Sequence, residues 1–415
     1  MELRRVQEVV AQAVPHITHR PSVLRVRALD AVGRILARDV TALVDVPPFD
    51  RAVVDGYAVR SRDTVSASPS SPVLLRLVKT RRVGPGEAVE VATGDPLPEG
   101  ADAVVMYEHT SKAGPDIIEV FQPVPPFGNV SRRGEDVQRG QVIFRKGHIV
   151  TRLDVALLAS SGNIEVEVYD ISVALVCTGD EIFDIDKVSN LEELERLYLE
   201  GKVLNTTRLV LEHFLQQFGV KVHYVGAVPD DEQEIATIVD KCVEKHDMVI
   251  VTGGTALGKR DVTVRAVSKL KPKFMWTGLC IRPGRPSGIA ILRGKPVLLL
   301  SGFPAAAVAG LLSVGKLVLE HLIDAKLELS LISGIVTRRV AKPPHLRAFV
   351  RAYACVDRNS GEIRIEPLAV TGSGLLTTLT RGNVLIEIPE LEEGIDENMR
   401  VIAYLLGKVY YCQEQ

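Results

Sequence analysis

From Ile171 to about Asp324 the chain alternates short β-branched runs with longer stretches of helical period. That alternation predicts a doubly wound parallel sheet. The strand candidates are ISVALVC, VKVHYVGAV, MVIVT and PVLLL, and helices are expected from near Asn205, near Asp231 and after Asp261. Ile235, Ile238, Val239, Cys242 and Val243 recur every three to four residues, so the second of these helices has one buried stripe. Gly219 is placed to end the first. LEELERLYLEGK, from Leu191 to Lys202, fits an amphipathic helix or an acidic surface loop. Val297 to Gly315 is uncharged and about as long as a minimal membrane span. Its Ser-Gly-Phe-Pro break divides it instead into a buried strand, a tight loop and a core helix.

On either side the period changes to two. SPVLLRLVKT, EAVEVATG and ADAVVMYEH, punctuated by Gly and Pro, predict a small β domain before the α/β unit. SGIVTRRVAKPP, AFVRAYACV, EIRIEPLAV and NVLIEIPE predict another after it. The fold class expected is therefore multidomain, α/β plus β, and 415 residues are ample for it at roughly 100–200 residues per domain.

Charge narrows the function. With 50 Lys+Arg against 52 Asp+Glu the net charge is -2, without the basic excess of a nucleic-acid binder, and no nucleic-acid or membrane partner is expected. The 46% hydrophobic and 25% charged residues are those of a globular protein rather than a disordered one. The first twenty residues lack a secretory apolar core, which predicts a cytoplasmic protein. Cys177, Cys242, Cys280, Cys355 and Cys412 form no CxxC, so reduced, mostly buried thiols are expected. His16 and His19 form a bare HxxH, read as helix surface.

In an open parallel sheet, ligands bind beyond the carboxyl ends of the strands. Four loops fall there: Thr178-Gly179-Asp180-Glu181, Asp230-Asp231, Gly253-Gly254-Thr255 followed by Lys259 and Asp261, and Ser301-Gly302-Phe303-Pro304. Gly253 and Gly254 let backbone N–H groups approach phosphate oxygens, or simply turn the chain. Glu181, Asp230, Asp231 and Asp261 supply hard oxygen ligands suited to Mg²⁺, while Asp231 and Asp261 are equally placed to cap helices. Arg282 and Arg285, around Pro283-Gly284, can hold a phosphate or a tetrahedral oxyanion. Together these point to a phosphate-bearing ligand and a divalent ion. The first β region adds PPFDRAVVDGYA, ATGDPLP and NVSRRGED, dense in Asp, Gly, Pro and Arg.

These strings, in this order and over nearly the whole chain, resemble the MoeA family of molybdopterin molybdenumtransferases, related to the gephyrin E domain. The resemblance rests on PPFD…DGYAVR, ATGDPLPEGADAVVM, NVSRRGED, TGDE, VPDDEQEI, TGGT…G…D, the basic Pro-Gly loop and Thr371-Gly372-Ser373-Gly374. It implies a homodimer of four-domain subunits. Residues 1–48 and 137–170 would form an interwoven linker, 49–136 a small β domain, 171–327 the doubly wound, MogA-like molybdopterin-binding domain, and 328–415 a C-terminal β-barrel-like domain. It implies insertion of molybdate into adenylylated molybdopterin with Mg²⁺-dependent release of AMP, in a cleft shared between subunits, and a molybdopterin adenylyltransferase as donor. Alternatives are a relative preferring tungstate and an inactive binding or scaffold homologue.

The resemblance makes Asp55, Asp136, Glu181, Asp230 and Asp261 the expected catalytic residues, with Glu181, Asp230 and Asp261 on the metal. Thr93, Arg132, Gly253, Gly254, Thr255, Arg282, Arg285, Ser301, Pro304 and Ser373 are the expected substrate contacts. The chain departs from the family pattern in several places: Arg282 and Arg285 stand where lysines are usual, Ala256 for a serine, Thr207 for an asparagine, and Ser301-Gly302-Phe303-Pro304 for Pro-Gly-Asn-Pro. Phe303 is thereby expected to narrow the pocket.

Overall fold

The computed structural model describes residues 2–254, 262–327, 329–369 and 372–412. Its α/β unit is a six-stranded sheet in the order Lys221–Val228, Ser172–Thr178, Met248–Thr252, Lys295–Leu300, Gly288–Leu292, Phe274–Thr277. The first four strands are parallel. Continuous apolar runs are stable there because both faces are covered. Val173, Leu175 and Cys177 point into one core and Ala174 and Val176 into the other. Helices Thr206–Gln217 and Pro304–Gly310 cover the first face, Glu232–Lys245 and Val262–Lys269 the second. The last two strands run antiparallel, an extension that the βαβ pattern does not announce.

The uncharged stretch resolves as strand, loop and helix. Pro304–Ile323 is helical throughout and long enough to cross a membrane, but 83% of its apolar window is buried inside the protein, so it is a core helix. At Gly315 a Cβ would lie 2.6 Å from a Leu311 methyl and 3.1 Å from a Leu298 methyl, so the helix packs closely against the sheet there.

Helix Val6–Ala13 buries Val6, Val9, Val10 and Ala13 in the same α/β core. The chain then pairs Ser22–Arg27 with Glu165–Asp170, and Val40–Thr41 with Val142–Phe144, around Leu36, Leu158 and Val168. Between those partners lies a six-stranded sheet ordered Ala103–Met106, Gly56–Val59, Glu87–Val91, Val73–Leu77, Ile117–Val120, Thr110–Gly114.

After the α/β unit, strand Arg347–Val356 pairs with Ile363–Ala369 and with Val384–Ile388. Ile363–Ala369 continues to Leu331–Val336, that strand to Arg400–Leu405, and Arg400–Leu405 back to Val384–Ile388. Five strands thus close a barrel with no free edge among them, filled by Val350, Ala352, Ile365 and Ile386. Ile281–Arg282 pairs in parallel with Arg347–Ala348 and so fixes the basic loop to the barrel.

Two expectations change and one alternative is decided. Cys355 and Cys412 form a disulfide rather than free thiols; strand Tyr410–Tyr411 pairs beside Cys355 and Val356, a proximity that spacing alone does not reveal. Cys177, Cys242 and Cys280 are free. His16 lies in a 3-10 turn stacked on Phe274, while His19 lies beyond that turn and meets Asp247 at 2.6 Å, so the pair is not a helix surface. Of the two readings for Leu191 to Lys202 the helix holds: Leu191–Leu199, capped by Asn190, with no residue buried.

Candidate functional site

The carboxyl ends of the parallel strands interlock. Thr178 Oγ1 donates to the Thr252 carbonyl at 3.2 Å, and Thr263 Oγ1 to the Gly253 carbonyl at 2.9 Å. The Gly253 N–H donates to the Leu300 carbonyl at 3.2 Å. Gly253 has φ +92°, and a Cβ there would sit 2.3 Å from the Thr178 carbonyl oxygen, so glycine is what lets these loops meet. Gly254 has φ +58° and abuts Thr263. Thr255 and Asp261 lie outside the described residues.

Carboxylates gather on the adjoining loops. The Gly179 N–H donates to the Val228 carbonyl, and the Asp230 N–H to Asp180 Oδ1 at 3.1 Å, which brings the loop of Glu181 beside Asp230. Partial burial, then the charges of Glu181 and Asp180, push the Asp230 carboxyl above the usual carboxylate range. A divalent cation relieves such repulsion, and Mg²⁺ needs only one or two protein carboxylates. Asp231 has a structural role: Oδ1 accepts from the N–H groups of Gln233 and Glu234 and caps the following helix. Among the described residues no three His, Cys, Asp or Glu side chains form a ready-made metal cage.

Beside this rim opens a cavity of about 420 Å³ lined by Ile281 to Pro286 with Gly372 and Ser373. Arg282 is half-buried and Arg285 exposed. The Ala305 N–H, in the first turn behind Pro304, donates to the Ser373 carbonyl at 3.0 Å and holds the C-terminal loop against the helix start. Phe303 does not plug the cavity: its ring is 61% exposed and lies against Gly374. Ser301 Oγ accepts from the Phe303 N–H at 3.3 Å, and Thr207 Oγ1 donates to the Gly302 carbonyl.

The first β region carries a second cluster. Asp55 Oδ1 accepts from the Thr93 N–H at 2.7 Å and the Thr93 hydroxyl at 3.0 Å, bonds that hold its carboxyl below the usual range. The Arg132 guanidinium stacks 4.4 Å above Phe127, and the Arg132 backbone N–H donates to the Glu135 carboxylate at 2.8 Å. Asp136 is exposed, with its N–H on the Val46 carbonyl. Of these four only Asp55 and Thr93 touch, and the partners named for all four lie between residues 46 and 135, away from the rim loops.

Comparison with known proteins decides the family. Residues 1–162 match the MoeA N-terminal region (domain I and II), 174–321 a probable molybdopterin binding domain, and 333–406 the MoeA C-terminal region (domain IV). A putative molybdopterin biosynthesis protein of Methanocaldococcus jannaschii is 33% identical over 98% of both chains. The chain belongs to the MoeA family. The molybdopterin molybdenumtransferase of Bacillus subtilis is 30% identical over 91% of this chain and 88% of its own. The crystal structure of the molybdopterin biosynthesis moeA protein from Pyrococcus horikoshii OT3 matches at TM-score 0.77 and 30% identity, covering 97% of this chain and all of the other.

The structure of this MoeA-family chain also shows groups that sequence reading passed over. Arg351, 1% exposed on a barrel strand, donates to the Gly372 carbonyl at 3.3 Å and to Thr378 Oγ1 at 3.2 Å, behind the Ser373 loop. A charged residue inside the alternating run AFVRAYACV was the available signal. Asp184 accepts from the Tyr224 hydroxyl at 2.7 Å and from Asn205 at 3.1 Å, while Asn205 Oδ1 caps the helix bearing Thr207. Burial and the Asp184 contact push the Tyr224 hydroxyl far above its ordinary range.

Proposed function

We infer that this MoeA-family chain is a molybdopterin molybdenumtransferase of molybdenum cofactor biosynthesis, inserting molybdate into adenylylated molybdopterin with Mg²⁺-dependent release of AMP. The observation that carries this reading is one rim on which a glycine-tight turn, the Glu181–Asp230 carboxylates and an arginine-lined cavity adjoin. The named relatives support the reaction class.

Glu181 and Asp230, joined by Asp261, would hold Mg²⁺, and the raised pKa of Asp230 fits a group that gains from a cation. When bound, Mg²⁺ screens phosphate charge and polarises a phosphoryl oxygen. The chain's own groups do the rest. Gly253, Gly254 and Thr255 receive phosphate oxygens; Arg282 and Arg285 bind the oxyanion, with Ser373 and Ser301 at its edge and Pro304 starting the helix behind it. Water attacks the phosphorus of the adenylyl group, the phosphoanhydride P–O bond breaks, AMP leaves, and the pterin keeps its own phosphate.

The reading takes the active unit to be a cytoplasmic homodimer, supplied by a molybdopterin adenylyltransferase, with domains as set out from the sequence. Asp55, Thr93, Arg132 and Asp136 then complete the cleft from the other subunit, which accounts for their exposure and their separation from the rim. Glu181→Gln and Asp230→Asn should each remove Mg²⁺-dependent AMP release while leaving the circular dichroism spectrum and melting temperature near wild type. Full turnover in both variants would exclude the assigned metal site.

A further inference from the structure

We propose that the segment from Ile182 to Leu204 is an intersubunit clasp, docking its acidic, apolar helix onto the basic loop Lys79–Arg82 of a second copy of the chain. This rests on the cross-subunit cleft of the proposed function and adds a contact at its mouth.

The segment grows from the site. It follows Glu181 directly, and the Val203 N–H donates to the Glu181 carbonyl at 2.7 Å. Its ends are held by the two-residue pairing of Ile182–Phe183 with Val203–Leu204 and by Phe183 against Tyr198. The helix between them buries nothing. Leu191 is 66% and Leu199 90% exposed, and Ile185, Tyr198 and Val203 are exposed as well. Five large apolar side chains in one short segment are unusual on a solvated surface. Glu192 and Glu195 lie among them, and neither forms an ion pair among the described residues.

The opposite charge sits beside the other half of the site. Lys79, Arg81 and Arg82 are exposed and make no ion pair with a described carboxylate. Their loop is set by Thr80 Oγ1 on the Arg82 carbonyl at 2.7 Å, and by an exchange with Glu99: Val83 N–H to the Glu99 carbonyl at 2.8 Å and Glu99 N–H to the Arg81 carbonyl at 3.0 Å. Glu99 closely follows the Ala92–Pro98 loop that holds Thr93 on Asp55. Leu74, on the preceding strand, is exposed too. Unpaired acids and apolar side chains adjoin one face of the site; unpaired bases and an apolar side chain adjoin the other. Complementary fields of this kind fix partner register.

The test mixes two populations of the full chain, Leu199→Cys and Arg81→Cys, lets subunits exchange, and adds a short bismaleimide, with the unsubstituted protein as control for native thiols. The mixture should give roughly fivefold or more covalent dimer than either population alone, because a docked pair reacts at high effective concentration. Glu192→Lys with Glu195→Lys in the first population should lower that yield, and Lys79→Glu with Arg82→Glu in the second should restore it. A chain that sediments as a dimer but gives no excess cross-link overturns the clasp and leaves the dimeric reading standing. A chain that sediments as a monomer overturns both.

Discussion

Replacing Gly253 with alanine tests whether the tight meeting of the rim loops is what orders the site. The backbone φ of +92° costs an L-residue about 1–2 kcal/mol by itself. The new Cβ would lie 2.3 Å from the Thr178 carbonyl oxygen, where ordinary contact begins at 3.4 Å, so the loops must part by about 1 Å. Overpacking of that order costs a further ~1–3 kcal/mol, for a sum of about 2–5 kcal/mol. Gly226 is the control: it also has positive φ, +139°, in the same sheet, but nothing lies within 4 Å of its Cβ position. Gly226→Ala should therefore show only the backbone cost of about 1–2 kcal/mol. Trp276 is the chain's one tryptophan and sits on strand Phe274–Thr277, so urea melts followed by its fluorescence report this unit. A displacement of about 1 Å at the rim should also lower turnover by roughly a hundredfold in Gly253→Ala, with little change in Gly226→Ala. Equal midpoints for the two variants, with turnover intact, would refute the steric argument.

Other predictions follow from single contacts. The Cys355–Cys412 bond closes a separation of 57 residues, so Cys412→Ser or a reductant should cost about 4 kcal/mol on chain-entropy grounds, read as a lower barrel melting temperature. Asp55, whose carboxyl the Thr93 bonds hold below the usual carboxylate range, contributes stability that is present above that range and lost as pH falls through the lowered folded pKa. Asp55→Asn should flatten the acid limb of a near-UV circular dichroism titration; an unchanged limb would contradict the assignment. Arg282→Gln and Arg285→Gln should each raise half-saturating molybdate about tenfold, since a hydrogen bond to a charged group contributes ~1.5–3 kcal/mol.

The sequence announced the elements whose periodicity is set by burial. Val173 to Cys177 and Met248 to Val251 are unbroken apolar runs because two cores cover them, and such runs can be read without tertiary knowledge. The antiparallel strands Phe274–Thr277 and Gly288–Leu292 were not announced, since lysines, Trp276 and a Pro-Gly turn obscure their alternation. Likewise Glu181 and Asp230 could be placed on one rim by topology alone, whereas Arg351 behind the Ser373 loop depends on how the barrel closes. The disulfide and the His19–Asp247 contact join residues 57 and 228 positions apart, and no local pattern encodes such pairings. Asp231 shows the converse: its cap role and its ligand role share one sequence signal, and only its bonds to Gln233 and Glu234 separate them.

The most direct measurement supplies the purified chain with adenylylated molybdopterin and Mg²⁺, adds molybdate or tungstate in parallel, and follows AMP release together with metal bound to the pterin. The account predicts AMP and metal-loaded cofactor in step, with molybdate the faster oxyanion. Binding of the adenylylated pterin without AMP from either oxyanion would contradict it and favour the binding-protein alternative.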